Sequence, residues 1–166
     1  MKILITGSCG SGKSTLINEF NKRGYKTSQQ LEEELWFESE KGDEFEKAIL
    51  KKRLAIYQRL KNEALVFFDR GVVDILVYRK YENKPIPKDL KEFVRKCFYD
   101  KVFVLEPLGR HEPNPERDHL IKTYEDAKRW YQLMLETLRE FGCTPIIVKN
   151  APLNDRVKII LDNIGI

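Results

Sequence analysis

The chain has 166 residues, 42% apolar and 34% charged, with a formal net charge of +4; its 9 Gly and 7 Pro stand beside 9 Phe, 7 Tyr and 2 Trp. That balance excludes collagen-like and disordered chains and fits one globular domain, large enough to bury a core without disulfide or metal staples. Three cysteines without a CxxC pair (Cys9, Cys97, Cys143), bases interleaved with acids, no run near the ~20 apolar residues of a span and no secretory core in MKILITGS predict a reduced, cytoplasmic protein with no zinc site, no membrane span and no nucleic-acid surface.

In chain order, Lys2-Ile3-Leu4-Ile5-Thr6 is a short apolar run ending at glycine, the pattern of a buried strand. A helical pattern follows from Lys13 to about Arg23, with Leu16, Ile17 and Phe20 apolar and Gly24 as its stop. Lys26-Thr27-Ser28 reads as a further, polar strand. Asp43 and Glu46 resemble a capping box opening a long amphipathic helix to about Asn62. Ala64-Leu65-Val66-Phe67-Phe68, Lys101-Val102-Phe103-Val104-Leu105 and Pro145-Ile146-Ile147-Val148 are three more apolar strands. Between the last two, Thr123 and Asp126 cap a helix running to Phe141 and stopped by Gly142, and Asn154 caps a final helix through Leu161. Short buried strands alternating with helices predict a parallel sheet covered on both faces.

Gly7-Ser8-Cys9-Gly10-Ser11-Gly12-Lys13-Ser14 fits G-x-x-x-x-G-K-[ST], and Thr15 follows it. The motif lies between a predicted strand and a predicted helix, where a P-loop must lie. Glycines let successive backbone N–H groups turn inward into an anion nest, and the following helix aims its positive end at the same phosphates. Residues Gly7 to Thr15 are therefore read as nucleotide contacts, Cys9 as small filler, Lys13 as the cation for the β/γ-phosphates and Ser14 as a Mg²⁺ ligand.

A P-loop alone does not separate kinases from other NTPases. Phe68-Asp69-Arg70-Gly71-Val72-Val73-Asp74 is more selective, because Asp69 ends an apolar strand where a P-loop protein needs a carboxylate near Mg²⁺. It resembles the Asp-Arg motif of nucleoside and nucleoside-monophosphate kinases. In that motif the acid orients or deprotonates the acceptor, or holds Mg²⁺ through water, while the arginine neutralises phosphate charge. Asp74 is open between bracing the next helix and contacting substrate. Glu106 to about Lys122 carries three prolines, with Arg110 and Arg117, and reads as an irregular lid. Arg117 is assigned to phosphate and Arg110 to stacking on adenine; His111 and His119 have no ligand spacing. Asn150-Ala151-Pro152 after the last strand offers backbone contacts to adenine through Asn150 and Pro152.

Across nearly its whole length the chain resembles the small P-loop kinases grouped with the nicotinamide-riboside-kinase domain of bacterial NAD-metabolism regulators, often labelled AAA-family ATPases. The matching segments are ILITGSCGSGKST, FFDRGVVDILVY, PERDHLIKTYEDAKRWYQLMLETLREFG and NDRVKIIL. The resemblance implies one P-loop NTPase domain over 1–166, a three-layer α/β/α fold with a five-stranded parallel sheet in the order 2-3-1-4-5, and ATP as donor. It also implies functional positions at Asp69 and Arg117. One departure stands out: where the family places a glutamate and then an arginine after the second strand, Gln30 and Glu33 stand here, unless a two-residue slip makes Glu32 the acid.

The stretch expected to cover the acceptor, about 28–60, offers Arg53 and Arg59 and begins with the acidic run Glu32-Glu33-Glu34. That favours a neutral or cationic acceptor over a monophosphate, which usually needs fixed arginines; Trp36 and Phe37 are available to stack on a base. Two functions follow. The first is a Mg·ATP-dependent small-molecule kinase acting through Lys13, Asp69, Arg70 and Arg117 on a nucleoside or related metabolite. The alternative is a regulatory ATPase switch acting on a protein, RNA or lipid partner.

Overall fold

The computed structural model describes residues 1–29, 43–109 and 120–166. Four strands, β1 (Lys2–Gly7), β2 (Val66–Asp69), β3 (Lys101–Leu105) and β4 (Ile146–Val148), form a parallel sheet in the order β2-β1-β3-β4. Among the described residues six helices connect and flank them: α1 (Lys13–Lys22), α2 (Asp43–Leu60), α3 (Val72–Tyr81), α4 (Lys88–Lys96), α5 (Tyr124–Glu140) and α6 (Leu153–Ile164).

Strand alternation sends each apolar run to both faces, as a sheet buried on both sides requires. Ile3, Ile5, Phe67, Phe103 and Leu105 pack with Leu16, Ile17 and Phe20 of α1 and Val157, Ile160 and Ile164 of α6. Leu4, Val66, Phe68, Val102 and Val104 pack on the other side with residues of α2, α3, α4 and α5. The Phe20 and Phe67 rings stack at 4.1 Å, tying α1 to β2.

The expected fifth strand is absent as a strand. Thr27 makes an isolated parallel bridge to Phe67, closed by Phe67 N–H to Lys26 O and Ser28 N–H to Phe67 O. Where the ladder would continue, the Ser28 hydroxyl accepts the Asp69 N–H at 2.8 Å, so a side chain takes the place of the next backbone partner. With that bridge at its edge, the remaining order is the one expected.

Thr123 does cap α5 reciprocally: its hydroxyl accepts from Asp126 N–H and the Asp126 carboxylate takes Thr123 N–H, each at 3.0 Å. Asn154 does not cap α6. Pro152 holds that position and Asn154 stands inside the first turn, where its side-chain oxygen accepts from Arg23 at 3.3 Å. Helix α4 has no counterpart in the sequence reading. Leu90 is its one fully buried residue, with Phe93 and Val94 partly buried at the i+3 and i+4 positions, a helical pattern of three apolar residues that the sequence reading passed over. Among the described residues no helix is long and apolar enough to cross a membrane.

Candidate functional site

The carboxyl ends of β1 and β2 bring the two sequence motifs together. Ile5 pairs with Asp69 in the parallel register, and Arg70 N–H donates to Ile5 O at 3.0 Å, so the P-loop and the Asp-Arg pair leave adjacent strands side by side. Gly7 permits this crowding: a Cβ there would meet Ser11 Oγ at 2.7 Å and Leu105 O at 3.0 Å. Gly12 leads into α1 with φ +76, a conformation that side chains rarely tolerate.

Lys13 is 7% exposed and folds onto its own loop, donating to Gly7 O and Ser8 O, both at 2.7 Å. Burial, and then the nearby Arg70 charge, push its ammonium down to about 7. An anion bound in the loop reverses that pressure by restoring a partner for the charge. Ser14 and Thr15 are exposed at the start of α1.

Arg70 has φ +63, one of two left-handed non-glycine residues among those described. Such a conformation costs about 1 kcal/mol and persists where surrounding contacts over-determine it. Those contacts are visible. Its guanidinium lies 5.7 Å from the ring centroids of both Tyr78 and Trp130 and 3.1 Å from Asp74 Oδ1. The Tyr78 hydroxyl reaches Cys9 Sγ at 3.8 Å, and burial pushes it up to about 12. Asp74 is 1% exposed and fully engaged, accepting from Thr6 Oγ1 at 2.6 Å, Gly71 N–H at 2.7 Å and Arg70. The open reading of Asp74 is thereby decided in favour of bracing: it fixes Arg70 and the start of α3.

Among the described residues four buried side-chain atoms lack a hydrogen-bond partner: Ser8 Oγ, Asp69 Oδ1, Trp130 Nε1 and Arg156 Nε. All four belong to this end of the sheet. Ser8 lies in the P-loop, Asp69 ends β2, Trp130 backs Arg70, and Arg156 Nη2 donates to Ser11 O at 2.8 Å. Buried orphans are rare in folded proteins and mark places that a ligand or water completes. No cluster of three or more His, Cys, Asp or Glu able to hold a metal occurs among the described residues. The oxygens at hand, Ser14 Oγ and the unpartnered Asp69 Oδ1, suit the kind of Mg²⁺ site that protein shares with phosphates and water.

Asn150 and Pro152 are exposed on the β4–α6 turn, and Asn150 N–H donates to Glu106 Oε2 at 3.2 Å, tying that turn to the foot of the expected lid. Arg110, Arg117, His111, His119, Gln30, Glu32, Glu33, Glu34, Trp36 and Phe37 lie outside the described residues, and with them most of the expected lid. The sequence reading missed Thr6, Ser28, Tyr78, Trp130 and Arg156. Only Arg156 carried a signal: a charge four and eight residues before Ile160 and Ile164, on the apolar face of α6.

A parallel sheet with a glycine-rich nest at the end of β1 and an acid at the end of β2 defines a P-loop nucleotide-binding protein. A family model described as an AAA domain matches residues 2–156, and the chain belongs to that family. Solved structures place its fold with the P-loop nucleoside and nucleotide kinases. Deoxyadenosine kinase from M. mycoides with bound dATP is 18% identical, with a TM-score of 0.58 and 100% of both chains covered. Thymidylate kinase from Ehrlichia chaffeensis is 13% identical, with a TM-score of 0.63 over 99% of this chain and 98% of its own. NadR protein in complex with NR is 15% identical, with a TM-score of 0.71 over 99% of this chain and 51% of its own. No curated protein sequence matches.

Proposed function

We propose that this chain is one kinase-like domain, with a lid over about 106–122, that transfers the γ-phosphoryl group of Mg·ATP to a nucleoside or related small metabolite. The observation that carries this reading is the junction of the P-loop with Asp69 and Arg70 on adjacent strand ends, with Asp69 Oδ1 buried and unpartnered. Its likeness in fold to nucleoside and nucleotide kinases points the same way.

The loop from Gly7 to Ser14, with Thr15, grips the phosphates through backbone N–H groups, and Lys13 turns its ammonium from the loop carbonyls to the β/γ-phosphates. Ser14 Oγ and the Asp69 carboxylate are the donors that would hold Mg²⁺, which when bound would neutralise negative charge on the phosphates. Asp69 also faces the acceptor hydroxyl, either orienting it or taking its proton. Arg70, held beside the Tyr78 and Trp130 rings, stabilises charge on the transferring group. Arg117 closes on that group from the lid, Arg110 covers the adenine, and Asn150 and Pro152 supply its backbone contacts.

Between 28 and 60 the chain offers two arginines, Arg53 and Arg59, few for gripping a monophosphate, and one nitrogen of Arg53, Nη1, donates to Gly71 O at 3.1 Å. The test is coupled ADP release with Mg·ATP, first without acceptor and then across nucleosides, nicotinamide riboside and monophosphates. One acceptor raising turnover well above the basal rate, with Lys13→Ala and Asp69→Asn inactive, establishes the kinase and names its substrate. A basal rate indifferent to every acceptor moves the function to an ATPase switch with a macromolecular partner.

A further inference from the structure

Arg156 stands in the first turn of α6 and is 5% exposed. Its Nη2 donates to Ser11 O at 2.8 Å, and its Nη1 occupies the space that a Cβ on Gly12 would enter, 2.7 Å from it. Its Nε is buried without an acceptor, and no carboxylate among the described residues pairs with the guanidinium. Burial works against its charge, holding it below the usual arginine range. Removing a charge from water without a counter-ion is unfavourable, and a fold retains such a group when something outside the chain compensates it. The loop it touches is shaped for a polyanion.

We propose that Arg156 is a positioning residue for the nucleotide: it braces the P-loop backbone at Ser11 and sets an uncompensated charge behind the loop that raises its affinity for a polyphosphate. The two parts are separable. The hydrogen bond to Ser11 O holds one peptide of the nest in place, as a neutral donor also would. The charge acts across the loop at reduced dielectric, and only a cation supplies it. The unliganded fold carries the cost of the buried charge, and nucleotide binding relieves it, so affinity and unliganded stability respond oppositely to its removal. Leu108, at the foot of the expected lid, lies 3.5 Å from the same Gly12 Cβ position, so loop, lid base and α6 meet at one point. The inference rests on the nucleotide half of the reading above and is independent of the acceptor.

The test is calorimetric binding of ATP and of inorganic tripolyphosphate to the full chain, without acceptor, alongside the melting temperature of the unliganded protein. Arg156→Gln keeps a donor and loses the charge; Arg156→Lys keeps the charge. The proposal expects Arg156→Gln to lose about tenfold in affinity for both ligands with no fall in unliganded Tm, and Arg156→Lys to stay within about threefold of wild type. Should the glutamine variant not fold, Arg156→Asn, likewise a neutral donor, takes its place with the same expectation, and failure of both neutral variants to fold makes the residue structural and ends the proposal. Binding by the neutral variant within twofold of wild type overturns the inference alone. So does an equal loss in the neutral and lysine variants, which would leave only geometry. A wild type that binds neither ligand overturns the nucleotide reading along with it.

Discussion

At the carboxyl ends of the strands, Ser8, Asp69, Trp130 and Arg156 each bury a polar atom without a partner, Lys13 is buried, and Arg70 is held left-handed. At the amino ends the comparable groups are satisfied. Lys2 N–H donates to Asp100 Oδ2 at 2.6 Å, Tyr57 donates to Phe98 O at 2.7 Å, and the Met1 amino group reaches Ala64 O. The amino end has space instead, a cavity of about 380 Å³ whose walls include Cys97, Cys143, Phe98 and Phe141. Unused polar capacity marks one end and an open cavity of mixed lining, Arg95, Asp100 and Lys101 included, the other. The former is chemistry held ready at a cost in stability, while the latter is packing left incomplete.

The widest separation between the ends should appear in activity. Lys13→Ala and Asp69→Asn are expected to lower phosphoryl transfer at least about a thousandfold, because each removes charge from where it develops in the transition state. Their melting temperatures should not fall, since Lys13 is destabilised by burial and Asp69 Oδ1 holds no partner in the unliganded fold. A large drop in Tm for either would mean that the orphaned groups are structural after all, and the contrast would collapse.

Much of that end was legible beforehand because its chemistry is local in sequence. The P-loop is eight consecutive residues, and Asp69-Arg70 is two. What sequence could not show was supplied by residues brought in from elsewhere. Trp130 reaches Arg70, and Arg156 reaches the loop, only because α5 and α6 pack on opposite faces of the sheet. Both sit in amphipathic patterns, where an aromatic residue reads as core and a lone arginine reads as surface. The missing strand has the same explanation. Lys26-Thr27-Ser28 does lie along β2, but a serine side chain ends the ladder after one bridge, an event no propensity encodes.

Stability against pH should separate Lys13 at one end from Cys97 at the other by sign. Lys13 has its folded value depressed from 10.5 to about 7, so between those values the unfolded chain binds the extra proton and stability rises with pH. Burial raises the Cys97 thiol from 9.0 to about 11, so across that interval the folded chain holds the extra proton and stability falls as pH rises. The second effect is at most about 3 kcal/mol. Denaturant midpoints of the unliganded protein, measured from pH 6 to 11 against Lys13→Met and Cys97→Val, should show the rise missing in one variant and the fall missing in the other. A rise that survives in Lys13→Met would place its origin in another group.

The smallest effect belongs to the cavity. Cys143 lines it from the turn after α5 and is partly buried, so Cys143→Met adds apolar volume to the space without disturbing a hydrogen bond or ion pair found in this structure. The gain from covering a few tens of Å² of apolar surface is about 1 kcal/mol, offset by whatever rotamer the longer chain must adopt. Stability within about 1 kcal/mol of wild type and unchanged turnover are therefore expected. Changed turnover would be the more informative result, because the cavity and the P-loop flank opposite ends of the same strands. Phe103 and Leu105 of β3 pack among the α1 and α6 residues that support the loop. A loss of activity from a methionine at the far end would show that strain travels along β3, and that the two ends are mechanically one site.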